Sequence, residues 1–255
     1  MVNIDTVYQK VLALANKEQR GYITPQEFNL FASQAQMEIF EQYFYDKNQF
    51  SRIPGNNHDY ADMVNNLDEK IQLFKRLDEV ISAQGQYGDY LLNQLTNFYR
   101  LGSVTVRYGN SQYKLAEEIS THELRQYYNS PLTDIYWNPR GSSNRSSTVQ
   151  PVYVRAMTGG GFERIKIYPY PGAIAGDIVR VNYLQSPSKP IWGYVIVNEK
   201  PLYHADSSVN FELHASEESE LIYRILAFAG ISIQKPELTQ AAISLEGAKV
   251  QQEKQ

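Results

Sequence analysis

Behind Asp5, the apolar residues Val7, Val11, Leu12 and Leu14 fall near helical spacing and predict a first amphipathic helix over residues 4–16, with Asp5 as its N-cap. Thr24-Pro25-Gln26-Glu27 combines an N-cap hydroxyl, a proline at the first helical position and a capping-box glutamate, so a second helix should start there. Behind it Phe28, Phe31, Ala32, Ala35, Ile39 and Tyr43 follow the i, i+3, i+4, i+7 rule, with Gln34, Glu38 and Gln42 opposite, which carries the helix to about Tyr45. SRIPGNNHDY reads as a loop. Met63, Leu67, Ile71, Leu73, Phe74, Leu77 and Ile81 then predict a third helix from Tyr60 to Gln84.

From about residue 100 the period drops to two. Val104 and Val106 alternate, then Val152, Val154 and Ala156, then Ile165 and Ile167, then Val179, Val181 and Tyr183, which predicts antiparallel strands. Met157 to Gly161 separates two of these runs as a hairpin turn, and Thr121 to Tyr128 is a short helix between strands. Helical spacing returns at Ser216, read as a cap before Glu217 and Glu218, with Leu221, Ile222, Ile225, Leu226 and Ala229 inward and Gly230 as the stop. Pro236 opens a last helix carrying Leu238, Ala241, Ala242 and Leu245.

The pattern describes an α+β protein. An N-terminal helical hairpin or bundle spans residues 1–99, and a small antiparallel β-sandwich or barrel spans 100–212. C-terminal helices over 213–255 pack back on the helical part. Asn138 to Thr148 and the turn region from Asn198 to Ser208 read as exposed loops.

Composition narrows the partners. A hydrophobic fraction of 42% over 255 residues fills a real core, and 24 Lys plus Arg against 28 Asp plus Glu argue against a chain whose main work is holding phosphates. Twenty Tyr and 37 Asn plus Gln suit a surface that meets other proteins. Cysteine is absent, which excludes disulfides and thiolate chemistry. The first twenty residues lack the apolar run of a signal peptide or membrane span, so folding in a cytoplasm is expected.

No catalytic or cofactor signature is legible. Asn16 to Glu27 resembles a twelve-residue calcium loop at Gly21, Ile23 and Glu27, but Asn16 and Arg20 stand where carboxylate or oxygen ligands belong. His58, His122, His204 and His214 are dispersed without a metal-ligand spacing. Gly159 to Gly161 lacks the Lys-Ser/Thr of a phosphate loop. The pairs Glu117-Glu118 and Glu217-Glu218 read as helix starts, and Arg140, Arg145 and Arg155 as residues in or beside a solvated loop. Neither metal nor cofactor is expected, and the chain reads as a non-enzyme.

Two runs carry a more specific signal. Asn16 to Asp46, with its GYITPQEFN turn, and Ser207 to Ala242, with its ILAFAGI ending, resemble segments of structural proteins of crAss-like bacteriophages. The arrangement of helices around a β unit with the strand Val179 to Pro187 is similar to head-to-tail adaptors and the tail tubular protein A of short-tailed phages. The resemblance implies a homo-oligomeric ring of about twelve copies built on heterologous contacts. Such a ring binds the portal and other tail proteins, sits in the virion away from any membrane, and lets DNA pass without sequence-specific binding. Within it, Phe31, Phe40, Tyr43 and Phe44 are the candidates for subunit packing, and Arg140, Asn144, Arg145 and Ser147 for the loop facing another ring or the lumen. The alternatives are a lower tail ring or stopper, and a glycan-binding tail module using Trp137, Trp192 and the tyrosines.

Overall fold

The computed structural model describes residues 1–16, 23–52, 58–83, 89–109, 111–129, 150–171 and 177–232, with five further positions between 240 and 247. It is α+β and divides into two compact units, residues 1–73 with 187–255, and residues 74–186.

The first unit is helical. It contains α1 (Ile4–Asn16), α2 (Pro25–Arg52), α3 (His58–Gln72) and α5 (Glu218–Ser232), with α5 packed on both α1 and α2. Ile4, Val7 and Val11 of α1, Phe28, Ala32, Ala35, Ile39 and Phe40 of α2, and Leu221, Ile225 and Ala229 of α5 are all buried, as the helical spacing requires. The capping box before α2 is formed in both directions. Glu27 N–H donates to Thr24 Oγ1 at 3.3 Å, and Thr24 N–H donates to Glu27 Oε2 at 3.0 Å. α2 continues past Tyr45 to Arg52.

Other expected helix ends differ as well. The cap of α1 is Asn3, whose Oδ1 accepts from the N–H groups of Asp5 and Thr6 at 2.8 and 3.2 Å, so Asp5 lies inside the first turn. α5 starts at Glu218 after a 3-10 turn over Ala215–Glu217, and there His214 Nδ1 accepts from Ser216 N–H at 3.3 Å. α5 then runs through buried Gly230 to Ser232, because packing on both sides outweighs the helix-ending preference of glycine. Pro236 lies outside the described residues, and Gln240, Ile243 to Leu245 and Gly247 beyond it are helical.

The segment 187–212 belongs to this helical unit rather than to the β region. Buried Gln36 of α2 donates from Nε2 to Ser188 O at 2.8 Å and accepts from Glu212 N–H at 3.0 Å, while Glu212 Oε2 accepts from Ser188 N–H at 3.0 Å. One buried amide thus satisfies the backbone of both ends of the segment, where an unmet group would cost about 1–3 kcal/mol.

The second unit is a curled seven-stranded sheet in the order β1-β7-β3-β4-β5-β6-β2. Its strands are β1 (Lys75–Ile81), β2 (Asp89–Leu91), β3 (Phe98–Arg107), β4 (Lys114–Glu118), β5 (Val152–Met157), β6 (Glu163–Tyr168) and β7 (Ile178–Gln185). Inward residues from all seven strands, among them Ile81, Tyr90, Val104, Ala116, Tyr153, Ile165 and Val181, meet in one core. A smaller cluster of Ile119, Val152, Val154 and Tyr168 is covered by Leu124 and Tyr127 of α4 (Thr121–Asn129). The β5–β6 turn is as predicted: Gly161 has φ of +79°, and Thr158 N–H donates to Phe162 O at 2.8 Å.

The sheet departs from the expectation of purely antiparallel strands, since β4 and β5 pair in parallel across the connection that carries α4. Glu117 and Glu118 close β4 and start no helix. The expected boundaries near 99/100 and 212/213 move to 73/74 and 186/187. The helix predicted to Gln84 stops at Gln72, and Lys75–Ile81 is instead an edge strand paired with β7. Its apolar spacing misleads because Phe74 and Ile81 are buried but Leu73 and Leu77 are exposed. A bulge lies between Arg76 and Glu79, where Asp78 N–H donates to Asn182 Oδ1 at 2.7 Å, and Ile81 is the strand's buried residue.

Candidate functional site

Within the helical unit, β8 (Tyr194–Val197) and β9 (Lys200–Tyr203) form a two-stranded hairpin hydrogen-bonded to no other strand. Asn198 and Glu199 both have positive φ, 50° and 63°, the geometry of the tight turn whose twist matches the flanking strands. The run PIWGYVIV reads as strand-like with Trp192 in the core, as found, whereas Asn198 to Ser208, read as an exposed loop, contains the return strand β9. The dipeptide Asn-Glu lacks the glycine that marks such turns in a sequence, so the tight turn and the return strand are not legible there.

The base of the hairpin is locked into the helical core. Trp192 is buried, and its indole Nε1–H donates to Asp5 Oδ1 at 3.0 Å. The Trp192 backbone N–H donates to Asn29 Oδ1 at 2.7 Å, and Asn29 Nδ2 returns a bond to Trp192 O at 3.3 Å. The indole lies against Tyr8 of α1 at 4.2 Å between ring centroids and against Tyr194 and Tyr203 of the hairpin at 5.8 and 5.9 Å. Gly193 passes so close to Ser207 that a Cβ there would come within 2.7 Å of the Ser207 carbonyl carbon.

Beyond this anchor the hairpin is apolar on both faces. Cross-strand pairing sets Tyr194, Ile196, Pro201 and Tyr203 on one side and Val195, Val197, Lys200 and Leu202 on the other. Val195, Ile196, Val197 and Leu202 are 49%, 68%, 45% and 53% exposed. An isolated two-stranded hairpin is marginal in water, and contiguous exposed apolar side chains mark interaction surfaces. The arrangement anchors an exposed apolar hairpin at its base.

The residues expected to pack between subunits are placed differently. Phe40 and Tyr43 are buried inside the helical unit and are closed to a neighbour. Phe31 and Phe44 are half-buried, Phe31 stacked on Phe228 of α5 at 6.5 Å and Phe44 edge-on to Phe40 at 5.0 Å. Phe40 and Tyr43 belong to an intrachain core stripe, which sequence spacing does not distinguish from an interface, while Phe31 and Phe44 keep part of their surface open. Arg140, Asn144, Arg145, Ser147 and Trp137 lie outside the described residues. Arg155 pairs with Glu163 through Nε at 2.8 Å.

Among the described residues no group of three or more His, Asp or Glu side chains is placed to hold a metal ion. His204 and His214 share hydrogen bonds with Ser207 Oγ and Ser216 Oγ at 3.1 and 2.9 Å. Most of the calcium-like loop, residues 17–22, lies outside the described residues. Its last carboxylate, Glu27, is engaged in the capping box, and the Thr24 N–H and hydroxyl hold its pKa below the ordinary value. Trp192, the described member of the tryptophan pair suggested for glycan stacking, has no face open to a sugar. No described helix is long and apolar enough to cross a membrane. No protein-family model matches the chain, and neither does any curated protein.

Proposed function

We propose that the chain is a structural, non-enzymatic component of a bacteriophage particle, one subunit of a ring at the head-to-tail junction. The resemblance of Asn16 to Asp46 and Ser207 to Ala242 to phage structural proteins supports this reading. The observation that carries it is the anchored, two-faced apolar hairpin. A heterologous ring needs each subunit to present one surface and receive a different one, and a hairpin held rigid at its base is suited to the presenting role. Burial of its four exposed aliphatic side chains on a neighbour contributes a hydrophobic gain of order several kcal/mol, at roughly 25 cal/mol per Å² of apolar surface. The portal and adjacent tail rings are the other expected partners.

Electron microscopy of the concentrated full chain, with mapping of the chain in intact particles, tests the reading. Closed rings of about a dozen copies, located between capsid and tail, are the expected result. A chain absent from particles that binds glycans as a monomer would overturn it in favour of a glycan-binding module.

A further inference from the structure

Arg107 of β3 and Arg180 of β7 both place their guanidinium carbons over the ring of Tyr113, at 5.3 and 4.5 Å from its centroid. The register sets Thr105 opposite Arg180 and Ile178 opposite Arg107, which makes the two arginines diagonal neighbours. Val104, Val106, Val179 and Val181 point into the core, so the alternating arginines point outward. Tyr113 itself is exposed.

Among the described residues neither arginine has an ion-pair partner. The buried Nε of each has no acceptor among the described residues. Two like charges therefore share one aromatic ring with no carboxylate paired to either among the described residues, an arrangement whose repulsion a nearby oxyanion relieves. The planar guanidinium fork matches a carboxylate in two parallel hydrogen bonds.

The charge of the two units indicates where such carboxylates come from. Residues 74–186 hold 12 Lys and Arg against 9 Asp and Glu, a net of +3. Residues 1–73 with 187–255 hold 12 against 19, a net of −7, and the two together give the −4 of the chain. Glu41 of α2 and Glu69 of α3 are among the exposed acids of the helical unit.

We propose that the Arg107–Tyr113–Arg180 face of one copy binds carboxylates on the helical unit of a second copy. This rests on the reading that the chain self-assembles, and it names the receiving surface and the chemistry. Complementary charge steers encounter and sets which surfaces meet, while apolar contacts such as those of the hairpin hold them together.

The test compares the full chain with Arg107→Gln/Arg180→Gln by sedimentation across a concentration series at low and high salt, with thermal unfolding as the control for folding. The expected result is self-association of the native chain that weakens with salt, and about tenfold weaker association of the double variant at an unchanged Tm. Cross-links should join Glu41 or Glu69 to the β unit of another copy. Association that is indifferent to both arginines overturns the inference, as does a native chain that stays monomeric throughout. Preferential capture of a short DNA oligonucleotide by Arg107 and Arg180 overturns it in favour of a phosphate ligand. If the double variant fails to fold, Tyr113→Leu reads the same face and should weaken association severalfold; native-strength association in that variant overturns the inference. A closed dimer held by the two arginines would keep this inference and overturn the ring, and rings indifferent to the arginines would do the reverse.

Discussion

Lys70 Nζ lies 2.5 Å from Glu217 Oε1, tying the last turn of α3 to the 3-10 turn that opens α5, with the Glu217 side chain 1% exposed. Removing one partner of a buried pair leaves a charge without compensation. Lys70→Met is expected to cost about 3 kcal/mol in chemical denaturation, and Lys70→Met/Glu217→Gln should recover part of that loss. A loss below about 0.5 kcal/mol for the single variant would mean that water reaches the Glu217 carboxylate.

Gly193→Ala places a methyl group where the backbone of Ser207 stands, with 2.8 Å to the carbonyl oxygen. Since Ser207 N-terminally borders the segment returning to Val209 and its bridge with Ile191, the backbone has little freedom to yield. Thermal unfolding should register about 1–3 kcal/mol of destabilisation, the usual cost of overpacking. A stability equal to the native chain would show that the hairpin base is loose.

Thr24→Ala removes both the side-chain and cap geometry that hold Glu27, and a loss of about 1 kcal/mol is expected at neutral pH. The folded-state pKa of Glu27 lies below its ordinary value, so the stabilisation is present above that value and is lost as pH falls through the folded pKa. The gap between native and variant should therefore narrow below about pH 4. A gap that widens on acidification would contradict the capping role.

Burial raises the pKa of the Tyr153 phenol to about 12, helped by its hydrogen bond to Glu118 Oε2 at 3.1 Å. The folded chain thus keeps a proton that the unfolded chain releases near pH 10, and the associated stability is present below that pH and lost as pH rises toward 12. Tyrosinate absorbance of the native chain should show a late-ionising component that Tyr153→Phe removes. An unchanged titration curve in that variant would exclude the assignment.

Ile196→Asn and Val195→Thr change side chains that touch solvent, so folding stability should move by no more than about 0.5 kcal/mol. Self-association, read by light scattering on the full chain, should weaken by about tenfold or more. Variants that assemble as the native chain does would remove the hairpin from the interface.

The sequence by itself determined the elements whose signals are local. The capping box at Thr24 to Glu27, the apolar stripes of α2 and α5, the alternation in β6 and β7 and the Gly161 turn each depend on residues a few positions apart, and each is where the spacing put it, while α1 forms as read but leaves Leu14 exposed. What depends on partners far along the chain was decided only in three dimensions. Lys75–Ile81 is a strand because β7, a hundred residues later, supplies its hydrogen bonds, and it buries only Ile81. Phe40 and Tyr43 read equally well as interface or core, and only the tertiary packing buries them. The run at Tyr194 to Val197 reads as strand-like, but its exposure, its return strand and the shared tyrosine of Arg107 and Arg180 left no local signal, because an apolar run shows neither whether it is covered nor which cations another strand will bring beside it.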